Sequence, residues 1–207
     1  MNVLFTYSPF IFMMTLKPHE QMGFKMTNLD IDKESDVKKM IELYEDVFDF
    51  NRLNELPFNL KEKKVIRFLV KTVSAFLDKN NASLELRKLI TPYLEWDLCE
   101  KFKLILKEMG QFLSWGKTTS YKKLGQKMGF GDNYARVIAK AMAANPFPLI
   151  FPCHRVLLID NKIGRKFGVM GGLSLKKMLL EREGVFFFKK KSKEFLLTSS
   201  KTFRSEL

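Results

Sequence analysis

The chain changes character at Thr91-Pro92, and that break points to a fold in two parts. A proline cannot continue the helical pattern that precedes it. The charge balance shifts at the same place. Residues 1–90 carry 14 Lys/Arg against 13 Asp/Glu, and residues 91–207 carry 22 against 10. Before the break, apolar runs over 3–7 and 10–16, joined by Ser8-Pro9, read as two buried strands, and 23–28 as a third. Ser35 can cap a helix over 36–48 with Val37, Met40, Ile41, Tyr44, Val47 and Phe48 on one face, and helix follows over 60–77 and 83–90. After the break the period is helical. Residues 97–113 place Phe102, Leu106, Met109 and Leu113 on one side. A short helix over 121–128 closes at Gly129, and Asp132 or Asn133 can cap another that runs to 145. Two short helices around a glycine turn suggest a helix-turn-helix. The expected fold is α+β. A mixed sheet-and-helix domain over 1–91 precedes a mostly helical domain over 92–185 with a helix-turn-helix and a Pro-Cys-His-Arg segment. A basic extension covers 186–207.

The 46% hydrophobic content and 20 phenylalanines supply a core for 207 residues. Cys99 and Cys153 stand 54 positions apart, which excludes a disulfide framework and a zinc-ligand cluster and fits a reducing interior. Residues 1–16 are apolar but have no basic start, since Lys17 is the first cation, and the run is too short to span a bilayer. The expectation is a protein of the cytoplasm, or of the nucleus in a eukaryote, with no membrane association.

Nearly all of the net +13 lies in the second half, so a polyanion is the expected partner and nucleic acid the first candidate. A lysine-rich solvated surface is the plainer alternative. The helix before residue 145 sharpens the choice. Tyr134, Val137, Ile138, Ala141 and Met142 form its apolar face, and Ala135, Arg136, Ala139, Lys140 and Ala143 the other. A face both small and basic allows a backbone to approach a DNA groove closely. A helix packed on both sides within the protein is the alternative.

Cys153 stands beside His154 in Asn145-Pro-Phe-Pro-Leu-Ile-Phe-Pro-Cys-His-Arg155. A thiol needs a base or a cationic environment to become a thiolate near neutral pH, and His154 is positioned in sequence to help. A buried structural cysteine next to a surface histidine is the plainer reading. Glu183 falls at the C-terminal end of a helix that begins near Ser174. The helix dipole disfavours a carboxylate there, so a partner such as His154 would make its position intelligible.

Gly116-Lys-Thr-Thr-Ser-Tyr121, Ala135-Arg136, Ala141-Met-Ala-Ala-Asn145-Pro146, Pro152-Cys-His-Arg-Val156, Gly171-Gly-Leu173, Leu179-Leu180 and Glu183-Gly184, in this order, resemble the O6-alkylguanine-DNA alkyltransferases, the suicide methylated-DNA–protein-cysteine methyltransferases. The resemblance covers about residues 97–185. It implies repair of O6-alkylguanine, with O4-alkylthymine as a second substrate, in double-stranded DNA by a monomer that needs no cofactor. It implies that Cys153 accepts the alkyl group, His154 takes its proton through a water, and Glu183 orients the imidazole. Tyr121 would rotate the 3′ phosphate and hydrogen-bond the flipped guanine. Arg136 would fill the gap left by that base, and Asn145 would join the recognition helix to the active-site segment. Ala135, Ala139, Lys140 and Ala143 would line the DNA face, and Pro152, Arg155, Met170, Gly171 and Gly172 the substrate pocket. The chain departs from the family at Val169-Met170, where the pattern has an aromatic and then a small hydroxyl residue. Some relatives hold a structural zinc in the N-terminal domain. This chain has no cysteine before Cys99, so no metal is expected. Two rivals come from other classes: a DNA-binding damage sensor or regulator without catalysis, and a cysteine hydrolase using Cys153, His154 and Glu183.

Overall fold

The structure is a computed structural model that describes residues 1–78, 84–158, 162–164, 167–168, 172–189 and 195–197. The expected α+β class holds. Strands β1 (Asn2–Tyr7), β2 (Phe10–His19) and β3 (Gly23–Lys33) form an antiparallel meander. A fourth strand, β4 (Val47–Asp49), pairs in parallel with β1 on its open side, giving the order β3-β2-β1-β4. Phe10, Phe12, Met14 and Leu16 of β2 face the main core, and Ile11 and Met13 face a smaller cluster with Met40, so β2 is buried on both sides. That double burial is why its sequence is a continuous apolar run instead of an alternating one.

The apolar periodicity over 36–48 predicts one helix, but α1 (Val37–Glu42) is shorter. The chain turns at Asp46, whose φ is +50°, and Val47–Asp49 joins the sheet as β4. Val37, Met40, Tyr44 and Val47 still pack against Ile11 and Met13, so the apolar pattern is satisfied by a different backbone. Helix α2 (Leu60–Ala75) starts at a capping box in which the Asn59 side chain accepts from Glu62 N–H and Glu62 accepts from Asn59 N–H. Helix α3 (Leu84–Ile90) ends at Thr91-Pro92.

Helix α4 (Glu100–Phe112) buries Ile105, Leu106 and Met109. The two-residue strand β5 (Thr119–Ser120) follows, and Ser120 caps α5 (Tyr121–Lys127) by accepting from Lys123 N–H. Gly129, at φ +76°, ends α5 in a Schellman motif, with Phe130 N–H donating to Gly125 O and Gly129 N–H to Gln126 O. A 3-10 turn over Asp132–Tyr134 leads into α6 (Ala135–Ala143). Tyr134, the residue before α6, makes no side-chain cap bond. Stacking of Phe130 on Tyr134 (4.5 Å between ring centroids) fixes the entry instead. After the active-site loop, β6 (Val156–Leu157) pairs in parallel with β5. Helix α7 (Gly172–Arg182) and an antiparallel pair, β7 (Phe187–Lys189) with β8 (Phe195–Leu197), follow among the described residues.

One continuous core runs from Val3 to Leu179 across both halves. Backbone bonds from Leu29 N–H to Pro146 O (2.8 Å) and from Glu95 N–H to Met26 O (2.9 Å) seam β3 to the second half. No helix among the described residues is long and apolar enough to cross a membrane.

Candidate active site and nucleic-acid interface

Asn145 ends the α6 segment and begins the loop that carries the thiol. Its amide donates to Phe151 O (2.8 Å) and to Cys153 Sγ (3.3 Å), while its Oδ1 accepts from Phe147 N–H (3.0 Å). One side chain thus staples both ends of the loop and contacts the thiol. Pro152 has φ −80° and ψ 64°, the centre of an inverse γ-turn, and Cys153 N–H donates to Phe151 O across it. Proline supplies that φ without ordering cost.

Cys153, His154 and Arg155 form one 3-10 turn and are all buried. His154 Nε2 lies 2.8 Å from Glu183 Oε1. Arg155 grips the same carboxylate through Nε (3.1 and 2.8 Å) and Nη2 (2.8 Å), and its Nη1 donates to Leu113 O. Gly116 N–H reaches Glu183 Oε2 at 3.2 Å. Glu183 is 8% exposed and accepts from three residues at once. Gly116 has to be glycine. Its φ is +69°, and a Cβ would come within 2.9 Å of the Glu183 carbonyl oxygen.

The electrostatics follow from this packing. Burial pushes the Glu183 pKa up, but His154 and Arg155 outweigh it and hold the carboxyl at about 2. Burial lowers the His154 pKa more than Glu183 raises it, which favours a neutral imidazole. An ionised Glu183 can only accept, so His154 carries its proton on Nε2 and presents the Nδ1 lone pair. That Nδ1 is buried and has no hydrogen-bond partner among the described residues. Burial pushes the Cys153 thiol up, and the Asn145 amide and the charge of Lys176 oppose it.

Lys176 on α7 is a site residue that sequence reasoning missed. It is 1% exposed, donates to Val156 O at 2.7 Å, and burial brings its pKa down to about 8. In sequence it looks like one more lysine of a basic half, and only the fold buries it. The β5–β6 ladder places Tyr121, directly after Ser120, beside the Cys153 turn. Burial raises the Tyr121 pKa, and the charge of Cys153 adds to it. Arg155, expected in the substrate pocket, spends its donors on Glu183 and Leu113 and acts as a brace for the carboxylate. Pro152 is buried at the turn and Gly172 opens α7, while Met170 and Gly171, with Val169, lie outside the described residues.

The expected DNA face is oriented as the wheel requires. Ile138, Ala141 and Met142 are buried, Arg136, Lys140 and Ala143 are exposed, and Ala135 and Ala139 are half-buried beside them. Among the described residues no group of three His, Cys, Asp or Glu could hold a metal ion.

A helix-turn-helix joined by one asparagine-stapled loop to a buried Cys-His-Glu cluster defines a narrow class of α+β protein. Residues 102–185 match the family model described as 6-O-methylguanine DNA methyltransferase, DNA binding domain. The chain is 32% identical over 120 residues to the methylated-DNA–protein-cysteine methyltransferase of Methanothermobacter thermautotrophicus, an alignment covering 58% of this chain and 62% of that protein. The chain thus spans less than two thirds of that relative's length. Its fold is similar to that of the O6-methylguanine-DNA methyltransferase of Pyrococcus kodakaraensis strain KOD1. The TM-score is 0.58 at 18% identity, over 89% of this chain and 100% of that one. It is similar to that of Mycobacterium tuberculosis OGT in complex with DNA, with a TM-score of 0.57 at 18% identity, over 88% and 91%.

Proposed function

We propose that the chain repairs O6-alkylguanine in double-stranded DNA by transferring the alkyl group to Cys153, once per molecule, with O4-alkylthymine as a second substrate. The observation that carries this is the placement of a buried thiol, backed by a neutral histidine and an ionised glutamate, on the loop that leaves the basic helix α6. The α6 face enters the minor groove, and Arg136 takes the space of a guanine turned out of the stack. A stacked base hides the reacting carbon, so extrusion precedes chemistry.

In the reaction the Cys153 proton passes through a water to the Nδ1 of His154, whose Nε2–H stays on Glu183. The Cys153 sulfur attacks the alkyl carbon. The new S–C bond forms as the bond from carbon to O6 breaks, and guanine leaves with the electron pair. Tyr121 protonates the leaving base, and the proton taken by His154 returns through water to the tyrosinate, so that in sum the thiol proton passes to guanine. Lys176, whose charge favours the thiolate, supports the first step. The thioether has no hydrolysable bond, which makes the protein stoichiometric.

The division at Thr91-Pro92, a monomeric state and residence in a reducing compartment with the DNA are parts of the same reading. The test is incubation with a duplex containing O6-methylguanine, followed by intact mass. A gain of one methyl group per chain on Cys153, with no second turnover, is the expected result. Tight binding of the modified duplex with no mass change would replace this reading with a damage sensor. Repeated turnover of an ester or amide would replace it with a hydrolase.

A further inference from the structure

Arg87 lies in α3, in the half of the chain that the family motifs do not reach. It is 5% exposed, and its Nε donates to the carbonyl of Ile150 at 2.7 Å. The guanidinium packs over the Phe76 ring, 5.6 Å from its centroid. Its Nη2 is buried without a hydrogen-bond partner among the described residues. Burying a cation with an unsatisfied donor is costly, so the contact it makes calls for an explanation. Burial brings its pKa down only to about 10, so it remains charged at neutral pH.

The residue it holds belongs to the segment that presents the thiol. Leu149, next to Ile150, has φ +72° and is 2% exposed. A leucine in that region of backbone space is strained and persists only where its surroundings fix it. Three contacts tie this loop's backbone carbonyls to other groups. Leu29 N–H of β3 holds Pro146 O, the Asn145 amide holds Phe151 O, and Arg87 holds Ile150 O. Helix α4 leaves room for the last of these with a glycine. A Cβ on Gly110 would lie 3.3 Å from Arg87 Cδ, 3.4 Å from its Nε and 3.4 Å from the Phe151 ring.

We infer that Arg87 is a positioning residue for Cys153, through which the N-terminal half holds the strained Leu149-Ile150 turn and so sets the presentation of the thiol. This rests on the reading of Cys153 as the reactive group. It does not depend on DNA being the source of the alkyl carbon.

The test uses the full chain and iodoacetamide, with alkylation of Cys153 followed by peptide mass against pH. Methyl transfer from O6-methylguanine DNA is measured in parallel. Arg87→Met is expected to slow Cys153 alkylation by about tenfold and to flatten its pH profile, with DNA affinity unchanged within about twofold. Val73→Ala, a truncation of a buried α2 residue that leaves the Arg87–Ile150 bond in place, serves as the control for lost stability and is expected to keep wild-type Cys153 reactivity. Gly110→Ala keeps Arg87 and raises helix propensity, and the nearest atoms its Cβ meets belong to side chains, which can shift by a few tenths of an ångström. It crowds the guanidinium, and a several-fold loss of Cys153 reactivity with an unchanged or higher Tm is expected. A merely structural role would not separate those two readouts. Wild-type iodoacetamide kinetics in Gly110→Ala and in a folded Arg87→Met would overturn the inference, as would equal losses in Val73→Ala. If Arg87→Met does not fold, Gly110→Ala alone decides. Failure of methyl transfer from DNA in the wild type, with Cys153 still reactive towards iodoacetamide, would sink the repair reading and leave the positioning test intact.

Discussion

Around Cys153 the charged groups are buried and held. Glu183, His154, Arg155 and Lys176 are all under 9% exposed, and each has a hydrogen-bond partner within 3.2 Å. On α6, one loop away, Arg136 and Lys140 stand exposed between alanines. The first region stabilises charge by desolvating and pairing it, so removing one partner strands another. The second leaves its cations hydrated until a polyanion displaces water and counterions. Substitutions in the cluster should therefore change both chemistry and folding. Substitutions on the face should change binding and its salt dependence, and leave folding alone.

The largest effect separates the two regions completely. Cys153→Ala should abolish the mass gain while DNA affinity stays within about twofold, because the thiol is buried on the loop beyond α6, hydrogen-bonded to Asn145, and is not part of the exposed face. Peptide mapping that put the methyl group on Cys99 would break the assignment.

Next comes Glu183→Gln. Removing one partner from a buried ionic cluster costs about 3–5 kcal/mol, because Arg155 is left uncompensated. Losing general-base help should slow transfer by roughly 10²–10⁴-fold, with less loss at high pH where the thiol ionises unaided. A pH test of stability sharpens the point. The folded carboxyl sits at about 2 against an ordinary 4.5. Its contribution to stability is therefore complete above pH 4.5 and is lost as pH falls through about 2, roughly 3 kcal/mol in all. Urea unfolding at pH 6.5 and pH 3 should show wild type losing more stability than Glu183→Gln over that window. Parallel losses would mean that Glu183 is not the buried anion of the cluster.

Smaller again, and confined to the exposed face, is Arg136→Ala. Keeping a base out of the stack costs on the order of a few kcal/mol. Losing part of that support should slow transfer from duplex DNA about 10- to 100-fold, and transfer from the free modified base hardly at all. Tyr121→Phe should slow both substrates alike, since it removes the proposed proton donor and keeps the ring. Single-turnover rates of Cys153 alkylation on both substrates measure this. Equal losses for Arg136→Ala would place Arg136 outside the flipping step.

The two regions were also unequally legible in sequence. The α6 face could be read directly, because helical periodicity assigns each side chain a direction, and of the five residues the wheel puts outside, Arg136, Lys140 and Ala143 are exposed and Ala135 and Ala139 half-buried. The Cys-His-Glu cluster was legible through adjacency, through the unfavourable place of Glu183 at a helix C-terminus, and through resemblance. Glu183 lies 29 positions from His154, and nothing local reports that they meet. Arg87, Arg155 and Lys176 were misread or missed because burial of a long cation is decided by the elements that close over it. Residues 36–48 failed for a related reason. Their apolar stripe fits a helix, but the open edge of β1 took Val47–Asp49 into the sheet, where tertiary pairing outweighs local propensity.

The smallest expected effect tests whether α6 binds as a face or through Arg136 alone. Lys140 lies one turn from Arg136 on the same side and is exposed. If it neutralises one phosphate, Lys140→Ala should lower the slope of log affinity against log salt by about 1 and weaken binding of all duplexes, modified or not, to a similar degree. The rate of transfer once the duplex is saturated should not change, because the proposed mechanism gives Lys140 no part in extrusion or chemistry. Thermal stability should also hold, since no buried group loses a partner. Fluorescence anisotropy on modified and unmodified duplexes at several salt concentrations gives the slope. An unchanged slope would confine DNA contact to the N-terminal end of α6 and shrink the recognition face to Arg136 and the alanines around it. A loss of affinity restricted to the modified duplex would move Lys140 out of the binding face and into the chemistry of the extruded base.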